Sequence, residues 1–69
     1  MAKVVQEILY CVKVQIWENG LLKKILSKDL FRKEDDAIRF YNGCEEEGTV
    51  VELSKYTDGY ERSIETKTN

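Results

Sequence analysis

Along residues 4–17 apolar and polar side chains alternate. Val4, Ile8, Tyr10, Val12, Val14 and Ile16 share one side of a period-2 pattern, and Val5, Glu7, Leu9, Cys11, Lys13, Gln15 and Trp17 share the other. The pattern predicts a long strand with an apolar inner face. Asn19-Gly20 follows at once, a pair suited to a two-residue turn that needs positive φ at both centres. Such a loop sets the register of the returning strand: Glu18 opposite Leu21, Trp17 opposite Leu22, Ile16 opposite Lys23, Val14 opposite Ile25 and Ile8 opposite Phe31. The predicted inner face holds Ile8, Tyr10, Val12, Val14, Ile16, Ile25 and Phe31. The outer face carries Leu9, Trp17, Leu22, Leu26 and Leu30 among Cys11, Lys13, Gln15, Lys24 and Lys28, so it is unusually apolar for a face that should meet water.

A change of period marks the next element. Ala37, Ile38, Phe40, Tyr41 and Cys44 form a stripe near the 3.6 spacing, behind Glu34, Asp35 and Asp36, whose carboxylates suit the positive end of a helix. The spacing predicts a helix over 33–47, with Gly48 just beyond its end. Asn42-Gly43 is a weak point, because glycine inside a helix costs about 1 kcal/mol relative to alanine; the alternative ends the helix near Asn42. Two strands then flank Thr57-Asp58-Gly59, namely Thr49–Tyr56 and Tyr60–Lys67, with Asp-Gly as the turn signal. Pairing across this turn predicts Val51, Leu53, Tyr60 and Ile64 on one face, and Val50, Glu52, Ser54, Tyr56, Glu61, Ser63, Glu65 and Lys67 on the other. The tail from Thr66 to Asn69 is expected to fray.

The order ββαββ predicts an α+β fold, a four-stranded, largely antiparallel sheet with one helix packed on one face, because an isolated hairpin is marginal in water. The chain of 69 residues reads as a single small domain over 1–69, which at this size buries only about 60% of its unfolded surface.

Charge divides the chain. Residues 1–33 carry a net +4 and residues 34–69 a net −6. Such asymmetry suits a protein that meets a partner. Three candidate contact features follow. The first is the outer apolar set around Trp17, Leu22 and Leu26, since exposed apolar patches mark interaction surfaces and tryptophan is enriched among binding hot spots. The second is the acidic run Glu45, Glu46 and Glu47, placed where carboxylates oppose the negative end of the predicted helix; the plainer reading is a solvated, solubilising end. The third is the basic stretch Lys23, Lys24, Lys28, Arg32 and Lys33, which beside Trp17 suits a nucleic-acid backbone and one stacked base. Edge-strand protection explains those lysines equally well, and a pI near 5.1 argues against nucleic acid.

Enzymatic chemistry finds no support. The chain has no histidine, no nucleophile motif and no glycine-rich phosphate loop. Two cysteines and solvated carboxylates are a poor metal set, so no metal or cofactor is expected. The start of the chain becomes charged too soon for a signal peptide, and no apolar run reaches the roughly 20 residues of a membrane helix. Unpaired thiols fit a reducing, cytoplasmic setting. In format alone (length, acidity and the ββαββ order) the chain is similar to small accessory proteins of phages and mobile elements, among them inhibitors of host defence complexes. The expectation is a non-enzymatic protein-interaction module, an inhibitor or adaptor that docks on a larger protein or self-associates through Trp17, Leu22, Leu26 and Glu45 to Glu47. The alternative is a nucleic-acid-binding regulator that uses the basic second strand.

Overall fold

The computed structural model describes residues 7–69; Val4 and Val5, expected to open the first strand, lie outside them. The elements run β1 (Ile8–Glu18), β2 (Leu21–Phe31), α1 (Glu34–Gly43), β3 (Val50–Thr57) and β4 (Tyr60–Thr68). All neighbouring strands are antiparallel, in the order β2-β1-β3-β4, and α1 lies between β2 and β3 in sequence. This is the predicted ββαββ α+β architecture.

The two central strands supply the buried strand residues of the core. Val12 and Val14 of β1 and Val51 and Leu53 of β3 lie side by side and are covered by Ala37 and Tyr41 of α1. Tyr10, Phe31 and Cys44 close the margins of this core, with the Phe31 and Phe40 rings 5.3 Å apart. Both hairpins turn as their residues require: φ is 53° at Asn19, 77° at Gly20, 51° at Asp58 and 85° at Gly59.

Between the turns and the core the ladders depart from simple counting. In β1–β2, Glu18 faces Leu21 and Trp17 faces Leu22 as predicted, but irregularities between Ile16 and Trp17 and between Val14 and Gln15 shift the rest. Ile16 therefore faces Lys24, Val14 faces Ser27 and Tyr10 faces Phe31. Each extra residue bends the strand and moves its successors. As a result Ile25 pairs with Gln15 on the bare face, while Leu26 moves to the helix side beside Phe40 and Cys44. Both placements reverse the prediction. A third irregularity, between Leu53 and Ser54, makes Ile64 the extra residue of β4. It brings Glu65 opposite Leu53 and Lys67 opposite Val51, so both turn to the helix side rather than to the outer face.

The helix stops at Gly43 and not at Glu47. The Cys44 N–H donates to the Tyr41 carbonyl at 3.1 Å, and Cys44 itself has extended backbone angles. Asn42-Gly43 favours this ending, and leaving the helix turns Cys44 onto the core. The carboxylates of Glu45, Glu46 and Glu47 thus stand in the loop before β3 and escape the unfavourable end of the dipole.

The tail does not fray. Thr68 belongs to β4. The Asn69 N–H donates to the Thr49 carbonyl at 2.8 Å, and Gly48 N–H donates to the Asn69 carbonyl at 3.1 Å. The Asn69 side-chain amide donates to the Cys44 carbonyl at 3.0 Å and to Thr49 Oγ1 at 3.2 Å. The last residue therefore ties the exit of the helix to the entry of β3.

The molecule spans 51 × 24 × 16 Å with a radius of gyration of 13.7 Å, against about 11 Å for a compact domain of this length. β3 meets β1 only from Ile8 to Gln15, so the end of the first hairpin projects beyond the third strand.

Candidate protein-interaction surface

The face of the sheet away from α1 carries Leu9, Cys11, Lys13, Gln15 and Trp17 from β1. Its neighbours are Leu22, Ile25, Lys28 and Leu30 from β2, and Val50, Glu52, Ser54 and Tyr56 from β3. It is not one apolar patch. A polar knot crosses its middle. Lys13 Nζ lies 3.4 Å from Glu52 Oε1 and 3.6 Å from Glu61 Oε2, and Ser54 Oγ donates to Glu61 Oε2 at 2.8 Å. The Ser54 hydrogen bond, with help from Tyr56 and Lys13, holds the Glu61 carboxyl below its ordinary range against the opposing effect of burial. At Lys13, burial works to lower the pKa, but the two carboxylates outweigh it and the ammonium is held above its usual value. Under this knot Cys11 and Ser54 are fully buried.

The knot divides the apolar residues into two groups. One, with Leu9, Leu30 and Tyr56, lines an open groove of about 530 Å³ together with Lys28; the Lys28 ammonium stands 5.6 Å from the Tyr56 ring centroid. The other group lies at the projecting hairpin. Trp17 and Leu22 face each other across β1 and β2, each 46% exposed, and Ile25 beside them is 47% exposed. The Trp17 indole N–H donates to Gln15 Oε1 at 2.9 Å, and Gln15 is itself buried. The ring is thereby held in one orientation while its apolar body remains open to solvent.

The six residues singled out from the sequence fall on two faces. Trp17 and Leu22 meet on the bare face. Leu26, Glu45 and Glu46 meet on the helix side, where they line a second groove with Phe40 and Thr49. Glu47 is exposed in the turn before Gly48. The Glu46 carbonyl accepts a hydrogen bond from Thr49 Oγ1 at 2.6 Å, so the backbone of the acidic loop is held in place. Ile25 was missed by the sequence reading, and nothing in the residue pattern announces the bulge that exposes it.

The basic stretch is scattered. Lys23 pairs with Glu18 at 2.7 Å, Lys24 faces Ile16 on the opposite side of the sheet from Trp17, and Lys28 stands over Tyr56. Burial raises the thiol pKa of both Cys11 and Cys44, against the lowering influence of nearby lysines. Among the described residues no three metal-ligating side chains converge, and no helix is long and apolar enough to cross a membrane.

The chain matches no family model, no curated protein and no solved structure.

Proposed function

We propose that this chain is a non-enzymatic protein-interaction module, an inhibitor or adaptor, which docks on a larger protein through the bare face of its projecting hairpin. The observation that carries this reading is the exposed set Trp17, Leu22 and Ile25, with the indole oriented by Gln15. A pre-set aromatic ring loses little conformational freedom on binding and gives its apolar area at about 25 cal/mol per Å² removed from water. The partner offers an apolar pocket for the indole; the Glu18–Lys23 ion pair stands at its polar rim. The setting is the cytoplasm, where Cys11 and Cys44, on opposite faces of the sheet, stay reduced. The scattering of Lys23, Lys24 and Lys28 leaves the nucleic-acid reading without a continuous track.

The test is site-specific photocrosslinking in the native cell, with the crosslinker at Leu22 and, as control, at Ile38 on the helix. One partner should attach at position 22, vanish with Trp17→Ala, and not attach at position 38. Capture that survives Trp17→Ala in a folded protein, or steeply salt-dependent binding to oligonucleotides instead, overturns the reading.

A further inference from the structure

We propose that β4 is a dimerisation edge: it pairs antiparallel with β4 of a second copy about a two-fold axis at the Ser63–Ile64 irregularity, extending two four-stranded sheets into one. This surface is at the far edge of the sheet from Trp17 and does not depend on the function proposed above.

β4 is an outer strand whose residues are exposed along almost its whole length, and such an edge presents unpaired N–H and C=O groups that template another strand. The other edge, β2, is defended. A second copy meeting it would bring Lys23, Lys24 and Lys28 against like charges. The charges on β4 are instead balanced: Glu61 and Glu65 against Arg62 and Lys67.

The irregularity makes this balance self-complementary. Side chains three apart on a regular strand point to opposite faces. Here the extra residue Ile64 places Arg62 opposite Lys55 and Glu65 opposite Leu53, and Lys55 and Leu53 are two apart on one face. Arg62 and Glu65 therefore flank a single ladder position on the helix side. A two-fold axis through that position sets Arg62 against Glu65 of the second copy, and the same pair forms again on the other side of the axis. Glu61 then meets Thr66, and Tyr60 meets Lys67, each pair sharing a face.

Features of the single chain fit this occupant. Arg62 and Lys55 are directly opposite like charges, an arrangement that destabilises a sheet. Among the described residues Lys55, Arg62 and Glu65 enter no ion pair. The incoming Glu65 sets a carboxylate directly opposite Arg62. Tyr60, 80% exposed, is brought towards the Lys67 ammonium, which already stands 4.8 Å from the Tyr41 ring centroid.

Sedimentation equilibrium on the full chain tests the proposal. The wild type should dimerise. Arg62→Glu and Glu65→Arg should each raise the dissociation constant by about tenfold or more, because each sets like charges opposite one another twice. The double variant should return it to within about threefold of the wild type, since the pair is merely exchanged. A wild type that stays monomeric at millimolar concentration, single variants that dimerise normally, or a folded double variant no better than the singles overturns the proposal. If a charge variant unfolds by circular dichroism, Ser63→Cys decides: a cysteine beside the axis should form a disulfide-linked dimer under mild oxidation, whereas Leu22→Cys on the opposite edge should not. Equal yields from the two overturn it.

Discussion

At the scale of single residues, much rests on polar groups that join elements. Glu61 links β4 to Ser54 of β3 and to Lys13 of β1. Its carboxyl titrates below the ordinary 4.5, so its stabilising contribution is complete above that value and is lost as pH falls through the lowered one. Glu61→Gln should flatten the fall of the urea midpoint as pH drops below 4.5, because the group no longer takes up a proton on unfolding. A variant with the wild-type acid slope would remove Glu61 from this role. At the basic end the sign reverses: Lys13 is raised above 10.5, so its contribution persists below that value and disappears as pH rises through the higher one. Asn69 is the second such residue. Asn69→Ala leaves the Cys44 carbonyl and Thr49 Oγ1 without their amide donor and should cost about 1–2 kcal/mol, measured by chemical denaturation.

Elements are decided by turns and bulges. The two tight turns require positive φ at four residues, and Gly59→Ala forces a β-carbon into that region. A loss of about 1 kcal/mol is expected, with the hairpin retained. Deletion of Leu26 is a sharper test of the bulge. It removes the extra residue between the Val14–Ser27 and Gln15–Ile25 pairs and should let β2 pair without interruption there. Cross-strand nuclear Overhauser contacts should then still join Val14 to Ser27, while the groove beside Phe40 loses its apolar wall. The helix needs less: three acidic residues in its first turn compensate for the absence of a side-chain cap.

The whole molecule is held by a small core on one side of the sheet. Leu53 is its largest fully buried side chain, and Leu53→Ala should cost about 2–5 kcal/mol. That is a large share of the stability available to so short a chain, so thermal scans should show the variant largely unfolded at 37 °C. Trp17→Ala should cost about 1 kcal/mol, well below the loss at Leu53, because it removes the indole donor to Gln15 but opens no cavity in this core. The two outcomes together separate a structural from an interface role.

How far the chain determined its own form can be traced through particular residues. Alternation in β1, the Asn19-Gly20 and Asp58-Gly59 turns and the stripe Ala37, Ile38, Phe40 and Tyr41 specify four strands, one helix and their order, because period and turn geometry are local properties. The neighbours of Trp17 across the first turn were also legible, since no irregularity intervenes before Leu22. Beyond that point tertiary structure decided. A bulge is a response to sheet twist and to packing against the helix, and no residue type marks it. It exchanged the faces of Ile25 and Leu26, and a third one turned Glu65 and Lys67 towards the helix. Strand order is likewise non-local: β1 and β3 pair because both carry apolar residues that only a shared helix can cover. The end of α1 at Gly43 follows the local Asn42-Gly43 signal, whereas the clamp by Asn69 joins residues 25 apart, which no local pattern records.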